Sequence, residues 1–465
     1  MSENFIFYDT ETSGRDPFFD QIFQFAAVLT DVELNPIDEV EYRARRMAHI
    51  VPSAGALLVN GLNPFNLNQA QFSAYEFAQE IKSKILQWSP AVVSGYNIFS
   101  FDERFMRSMF YQNLLPPYLT QTNGNTRVDI LPLVQALEIL EPGAIAYPLN
   151  EKGKTSKKLE HIASANGFEG HRAHDALGDV EATIFVAKLI KVRAPQLWEA
   201  AYNARSRRHF KTKVTVGRWA MFHDINYGWP TTFPGLVIGD VNNGRDVLCL
   251  DLRQEAQSRL NLERDDLFSG RNRLFRVLRA AEMPLVFSWK DFSNFSCSEN
   301  FDYQRIVDNC SGWEPVIQNL NITEAFERAR SEFPEAKHPE QKIYEGFDAF
   351  DAEAPTMDRF HLCTEGQKLE VVKEFHDPRF RVFAQRIIFD SFGHLMEPKL
   401  FDEFSDRVMS RMCDAGDVPW NTIPKALSEI ENLRNSKPDR LAELAIIEDF
   451  LHGLRGSSNP LQSRP

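Results

Sequence analysis

Near its start the chain carries Phe5-Ile6-Phe7-Tyr8, four large side chains in a row that run straight into Asp9-Thr10-Glu11. A short run this apolar reads as a β-strand buried on both faces. Residues i and i+2 of a strand project to one side, so Asp9 and Glu11 point the same way. Two adjacent carboxylates repel each other, and a divalent cation relieves that repulsion. The pattern asks for a buried strand with a divalent-cation site at its end. Asp, Thr, Ser and Gly are also common in any turn after a strand, so the pair acquires meaning only alongside further acids.

Two later segments supply those acids. Residues 22–30 (IFQFAAVLT) read as a second strand, joined to the first through the turn DPFFDQ. Phe77, Ile81 and Ile85 at helical spacing predict a helix within residues 70–88, and Ala91–Ser94 reads as a short strand ending at Gly95. Ser100 and Glu103 form the S-x-x-E signature of a capping box ahead of a helix through Phe105, Met109 and Phe110. Asp102 then falls in the first turn, where the helix dipole favours its ionised form. Val180, Ile184, Ala187 and Ile190 predict a helix over residues 176–192, entered through His174-Asp175-Ala176-Leu177-Gly178-Asp179. In this H-x-A-x-x-D spacing the histidine sits in the entering loop, Asp179 lies one turn in, and Ala176 leaves room for a substrate. Asp175 serves equally well as an N-cap. Hard carboxylate oxygens beside a histidine, whose ordinary pKa is about 6.5, suit Mg²⁺ or Mn²⁺ and the removal of a proton from water. The expectation is metal-assisted phosphodiester hydrolysis.

At 465 residues and about 150 residues per domain, roughly three domains are expected. Texture marks the joins: α/β alternation up to Arg193, short apolar runs broken by Gly, Asn and Pro over 214–290, and helical periodicity from about Lys342 to Leu454. With 43% hydrophobic and 25% charged residues, disordered and membrane classes are excluded. The N-terminus lacks the basic region and cleavage site of an export signal, which predicts a cytoplasmic protein. The five cysteines form no C-x-x-C pair and read as free thiols, which argues against zinc. A formal net charge of −13 runs against nucleic-acid binding, but its distribution does not. Basic residues gather in KGKTSKK (Lys152, Lys154, Lys157, Lys158) and NARSRRHFKTK (Arg205, Arg207, Arg208, Lys211, Lys213). Either run alone is equally a solvated face.

The three acidic segments resemble the motifs of the DEDDh exonucleases, the superfamily that includes polymerase proofreading subunits, ribonuclease T and oligoribonuclease. Within it, GALLVNGLNP, NIFSFDERFMRSMFYQNLLPPY, KLEHIASANG and AHDALGDVEATIFVAKLIKVRAPQLW, with QKIYEGFDAFDAEA further on, are similar to the exonuclease I family of single-strand-specific bacterial exodeoxyribonucleases. The resemblance implies an α/β ribonuclease H-like exonuclease domain over 1–194, an SH3-like β-rich domain over 195–341 and a C-terminal α-helical domain over 342–465, closing over single-stranded DNA. It implies that Asp9, Glu11, Asp102 and Asp179 hold two Mg²⁺ ions, for which Mn²⁺ may substitute, about 3.5–4 Å apart. His174 becomes the general base, Glu11 also touches substrate, and 5′-mononucleotides are released from the 3′ end in DNA repair and recombination. Lys158, where the family commonly has arginine, with Arg107, Tyr118 and Arg207, are implied DNA contacts; Trp219, Phe222 and Tyr227 offer stacking faces or β-domain core. Glu103 and Arg107 also form an ordinary i,i+4 ion pair. Glu141 stands where the family has an arginine, in a region serving DNA or the acidic C-terminal tail of single-strand DNA-binding protein, so that partnership is least secure here. The layout implies a monomer without membrane attachment. The motifs alone equally suit an RNA-directed 3′ exonuclease, against which the C-terminal extension argues, and a nonhydrolytic binding protein would be expected to have lost a carboxylate.

Overall fold

The computed structural model describes residues 3–169, 175–224, 230–254, 273–319 and 336–456. The first strand outruns its apolar segment: β1 spans Asn4–Thr12, so Asp9 and Glu11 belong to the strand itself. β1 pairs antiparallel with β2 (Ile22–Thr30), which pairs antiparallel with β3 (Pro36–Arg43). On its other side it pairs parallel with β4 (Ala91–Gly95), beyond which lies parallel β5 (Thr126–Asp129). The result is a mixed five-stranded sheet of order β3-β2-β1-β4-β5, with the acidic strand at its centre.

Eight helices of the first half need naming: α1 (Ala54–Asn60), α2 (Ala74–Trp88), α3 (Asp102–Gln112), α4 (Ile130–Leu140), α5 (Leu159–Ala165), α6 (Ala176–Arg193), α7 (Pro195–Ala204) and α8 (Arg207–Lys213). Strand alternation sends Phe5 and Phe7 to one face, where they meet Leu133 and Leu137 of α4 and Val180 and Ala187 of α6. Ile6 and Tyr8 go to the other, against Phe77 and Ile81 of α2 and Phe105 and Phe110 of α3. This two-sided cover is what the unbroken apolar run requires.

Helix α2 begins at Ala74, with Ser73 and Glu76 completing a capping box. The box expected from Ser100 and Glu103 does not form: Phe101 occupies the cap position of α3 without a side-chain cap bond. Glu103 turns inward instead. Its fully buried carboxylate accepts from Tyr8 Oη (3.0 Å), Thr120 Oγ1 (3.0 Å), Arg127 Nη1 (2.7 Å) and Arg107 Nη2 (3.2 Å). A buried carboxylate needs several donors of this kind, and that need outweighs one exposed cap bond.

A second five-stranded sheet, antiparallel throughout, has the order β10-β6-β7-β8-β9: β6 (Trp219–Asp224), β7 (Thr231–Val241), β8 (Asp246–Asp251), β9 (Phe275–Arg279) and β10 (Leu285–Phe287). One of its faces packs Phe222, Phe233, Val237 and Leu278 around Phe210 of α8. Its other face, through Met221, Leu236 and Leu248, joins the core that contains α6 and α7. The C-terminal region is helical and wraps back onto the first sheet's layer. Phe360, Phe375 and Phe383 pack with Tyr75 and Tyr111, and Ile423, Ile430, Leu444 and Leu451 pack with Phe23, Leu57 and Leu58. The cysteines are free, and no helix among the described residues is long and apolar enough to cross a membrane.

Gly95 ends β4 beside the acidic end of β1. A Cβ there would lie 2.4 Å from Ile98 Cγ2 and 2.6 Å from the Tyr8 carbonyl oxygen, and the latter is backbone that cannot swing aside. Gly95→Ala is therefore expected to cost about 1–3 kcal/mol in chemical denaturation, the usual range for overpacking. An unchanged midpoint would contradict this account of the β1–β4 contact.

Candidate metal centre

Asp9 and Glu11 lie on the same face of β1 as Phe5 and Phe7, the face covered by α6. Asp179, in the first turn of α6, meets them there: one ligand oxygen from each of the three carboxylates lies within 4.8 Å of the others. Thr10 points to the opposite face, toward α3. The β1–β4 pairing stops at Phe7 and Ser94, so the Thr10 N–H has no β4 partner and donates instead to Asp102 Oδ1 at 3.1 Å. The Thr10 hydroxyl donates to the same oxygen at 2.6 Å. Asp102 is thus fixed at the end of the sheet by the residue between the other two acids.

Asp102 is held from behind as well. The Asp129 carboxylate, at the end of β5, accepts from the N–H groups of Asn97 (2.8 Å), Phe99 (3.0 Å) and Leu131 (3.1 Å), shaping the turn that leads into α3. Neither Thr10 nor Asp129 was singled out from the sequence. The only available signal for Asp129 was its place at a strand end before a helix, as in motif strands; Thr10 carried none beyond lying between two acids.

Burial and like charge dominate the electrostatics of the cluster. Burial pushes the Asp9 carboxyl well above its ordinary range, and the neighbouring Asp102, Glu11 and Asp179 push it further. Glu11 is raised to about 9, first by burial and then by Asp179 and Asp102. Asp102 is raised to about 7, because burial outweighs the lowering by Thr10 and backbone hydrogen bonds. The expected help from the helix dipole therefore does not keep Asp102 at an ordinary value. An all-oxygen, acidic and buried donor set of this kind fits a hard divalent cation, with Asp9, Glu11 and Asp179 as its nearest holders and Asp102 beside them.

The remaining candidate residues are spread more widely. His174 lies outside the described residues, as does Tyr227. Asp175, at the cap position of α6, makes no side-chain cap bond; it accepts from Gln24 Nε2 at 3.1 Å. Lys158 precedes α5 with its side chain exposed, 3.4 Å from Glu160. Tyr96 donates to the Lys157 carbonyl at 2.5 Å, which holds that segment at the same end of the sheet as the acids. Arg107 makes the i,i+4 pair with Glu103 and lies 5.4 Å from the centre of the Tyr118 ring, so the structure brings these two together. Arg207 begins α8, donates to the Gly244 carbonyl at 3.2 Å and lines a cavity of about 620 Å³ with Arg127, Arg205, Arg245 and Arg279. Phe222 is core, stacked on Phe233, whereas Trp219 is half-buried against Trp289 and Tyr303.

This geometry can be set beside known proteins. The family model described as RNase_T, Exonuclease, matches residues 6–187, the span that holds all four carboxylates. Residues 6–187 are thus similar to an exonuclease domain. The domain's resemblance to exonuclease I also stands: the chain is 32% identical over 272 residues to exodeoxyribonuclease I of Buchnera aphidicola (subsp. Acyrthosiphon pisum), covering 56% of this chain and 64% of that one. It is 33% identical over 282 residues to exodeoxyribonuclease I of Escherichia coli K12, covering 59% and 58%. The matched segment is therefore less than two thirds of the length of either relative. Likeness of fold extends further. Exonuclease I of Methylocaldum szegediense superposes with a TM-score of 0.83 at 23% identity, covering 98% of this chain and all (100%) of that one. E. coli exonuclease I in complex with a dT13 oligonucleotide does so at 0.83 and 23%, covering 96% and 99%. Beyond the exonuclease domain, the second sheet and the C-terminal helices thus share an exonuclease I-like fold.

The raised carboxyls give a sign to the stability of the metal-free protein. A carboxyl with a folded pKa above its unfolded value favours the folded state when protonated; that contribution is present below about pH 4.5 and is lost as pH rises through the folded value, about 7 for Asp102 and about 9 for Glu11. In chelator, the melting temperature is expected to fall between pH 5 and pH 9, and millimolar Mg²⁺ to restore it. Asp102→Asn should raise the chelator value at pH 8 and reduce the gain from Mg²⁺. A pH-independent melting temperature in chelator would contradict this assignment.

Proposed function

We propose that the protein is a Mg²⁺-dependent exodeoxyribonuclease that degrades single-stranded DNA from 3′ to 5′ and releases 5′-mononucleotides in DNA repair and recombination. The observation that supports this most is the convergence of Asp9, Glu11 and Asp179 within 4.8 Å, with Asp102 anchored beside them by Thr10, inside a matched exonuclease domain. The reading of the substrate draws on exonuclease I of E. coli, which has been seen with dT13 and dA16 oligonucleotides.

Asp9, Glu11, Asp102 and Asp179 would hold the metal, two Mg²⁺ ions or Mn²⁺ in their place. When bound, the metal supplies Lewis-acid stabilisation of charge on the phosphate and lowers the pKa of water. His174, which precedes α6 in the sequence, takes the proton from the water that attacks the scissile phosphorus; the P–O3′ bond breaks, and the 3′ oxygen of the shortened strand takes a proton from solvent to become its new hydroxyl. Glu11, at the far end of β1, also contacts the terminal nucleotide. Exposed Lys158 meets a phosphate as a point charge, and Arg207 meets the strand where it leaves the exonuclease domain. Arg107 and Tyr118 act as a unit, since Glu103 anchors the guanidinium beside the ring. The second sheet serves as an SH3-like domain over 195–341 and the helices of 342–465 close over the strand, in a cytoplasmic monomer. Glu141 caps α4 where the family has a cation, so contact with the acidic tail of single-strand DNA-binding protein is expected to be weaker than in relatives.

The test is digestion of 5′-labelled and 3′-labelled single-stranded DNA, duplex DNA and RNA, with Mg²⁺ or with chelator. Labelled mononucleotide should appear at once from the 3′-labelled single strand, and only in Mg²⁺. Preferential release from RNA would favour the RNA-directed reading. His174→Ala should lower kcat by about 10²–10⁴-fold while Mg²⁺ binding measured by calorimetry is retained. A near-wild-type kcat would remove His174 as the base.

A further inference from the structure

Helix α1 has only seven residues, too few to be stable or to hold a position on its own. Its two ends nevertheless fix the chain directly after Glu11. At the N-terminal end the Ser53 N–H donates to the Ser13 carbonyl at 2.8 Å, and at the C-terminal end Asn60 Nδ2 donates to the Thr12 carbonyl at 3.0 Å. Whatever positions α1 therefore positions the end of the strand that carries Asp9 and Glu11.

What positions α1 comes from the far end of the sequence. Glu429, in the helix Ile423–Ser436, accepts from Ser53 Oγ (3.0 Å), the Ala54 N–H (2.9 Å) and the Gly55 N–H (3.2 Å). The approach at Gly55 is close: a Cβ there would lie 2.9 Å from Glu429 Oε1, and the carboxylate would have to shift. At the other end of α1, Arg440 Nη2 donates to the Leu58 carbonyl at 3.0 Å. An anion at the N-terminus and a cation near the C-terminus both match the polarity of the helix. Between them, Leu57 and Leu58 pack with Ile423, Ile430, Leu444 and Ile447 of the C-terminal region.

We infer that Glu429 is a positioning residue for the metal centre: by clamping α1 from the C-terminal helices it sets Thr12 and Ser13, and through them the orientation of Glu11. The inference rests on the exonuclease reading only in taking the acidic cluster as a metal site. It makes the C-terminal helices part of the machinery of the first domain as well as a cover for it. Groups that orient a ligand without touching the ion typically change metal affinity or activity by about 10–100-fold when lost.

The experiment uses the full chain and Mn²⁺ as probe, with free Mn²⁺ read by electron paramagnetic resonance before any DNA is added. Glu429→Ala should weaken Mn²⁺ binding by about tenfold, the lower end of that range. Glu429→Gln, which keeps the size and one acceptor, should show a smaller loss, and Glu431→Ala, exposed on the same helix, none. On single-stranded DNA the Glu429 variants should lower kcat more than they raise KM. If Glu429→Ala does not fold, the Gln variant carries the comparison. Unchanged Mn²⁺ affinity in a folded Glu429 variant, whatever its melting temperature, would overturn the inference. So would an equal loss in Glu431→Ala. Should the wild-type chain bind Mn²⁺ but release no nucleotide, the exonuclease reading fails while the clamp is still tested.

Discussion

The structure depends on bringing four carboxylates together at one end of a buried strand. Three of them are costly there: Asp9 and Glu11 are pushed far above their ordinary range by burial and then by neighbouring acids, and Asp102 to about 7, chiefly by burial. Such an arrangement persists because the surrounding core over-determines it. Phe5, Ile6, Phe7 and Tyr8 lock β1 between two helical layers, and the acids follow wherever that strand leads. Divalent cations turn such repulsion into affinity, so the cost of gathering the acids and the chemistry they suit have the same origin.

The two faces of β1 divide the work. Asp9 and Glu11 share a face with α6 and so meet Asp179, whereas Thr10 faces α3 and captures Asp102. The short β4 makes this possible by leaving the Thr10 N–H unpaired in the ladder. Behind this layer, Glu103 gathers donors from Tyr8, Arg107, Thr120 and Arg127, and Asp129 shapes the turn before α3. Glu103 and Asp129 are satisfied by three or more hydrogen bonds each, whereas burial and like charge raise Asp9, Glu11 and Asp102.

Much of this was legible in the sequence because it depends on local periodicity. The apolar run, the i, i+2 acids, the helical spacing from Val180 to Ile190 and the H-x-A-x-x-D segment each predict an element that is present, and together they locate the centre. The capping-box reading of Ser100 and Glu103 failed for a nonlocal reason: Tyr8 and Arg127, the partners that draw Glu103 inward, lie 95 and 24 residues away in the chain. Thr10's role depends on where a neighbouring strand stops, and Glu429's contact with α1 spans up to 376 residues. Such information resides in the tertiary arrangement. The basic runs illustrate the converse: they are conspicuous in sequence, yet Lys157 is tied to Glu138, Arg205 to Glu3 and Lys211 to Asp240, while Lys158 and Arg207 are exposed.

The central claim is that the four carboxylates form one cation-binding centre. Anomalous scattering from crystals of the full chain soaked in Mn²⁺ tests it most directly. The account predicts two Mn²⁺ peaks bounded by Asp9, Glu11, Asp102 and Asp179. A map with no peak at these residues, at Mn²⁺ concentrations that support the hydrolysis of single-stranded DNA, would contradict it.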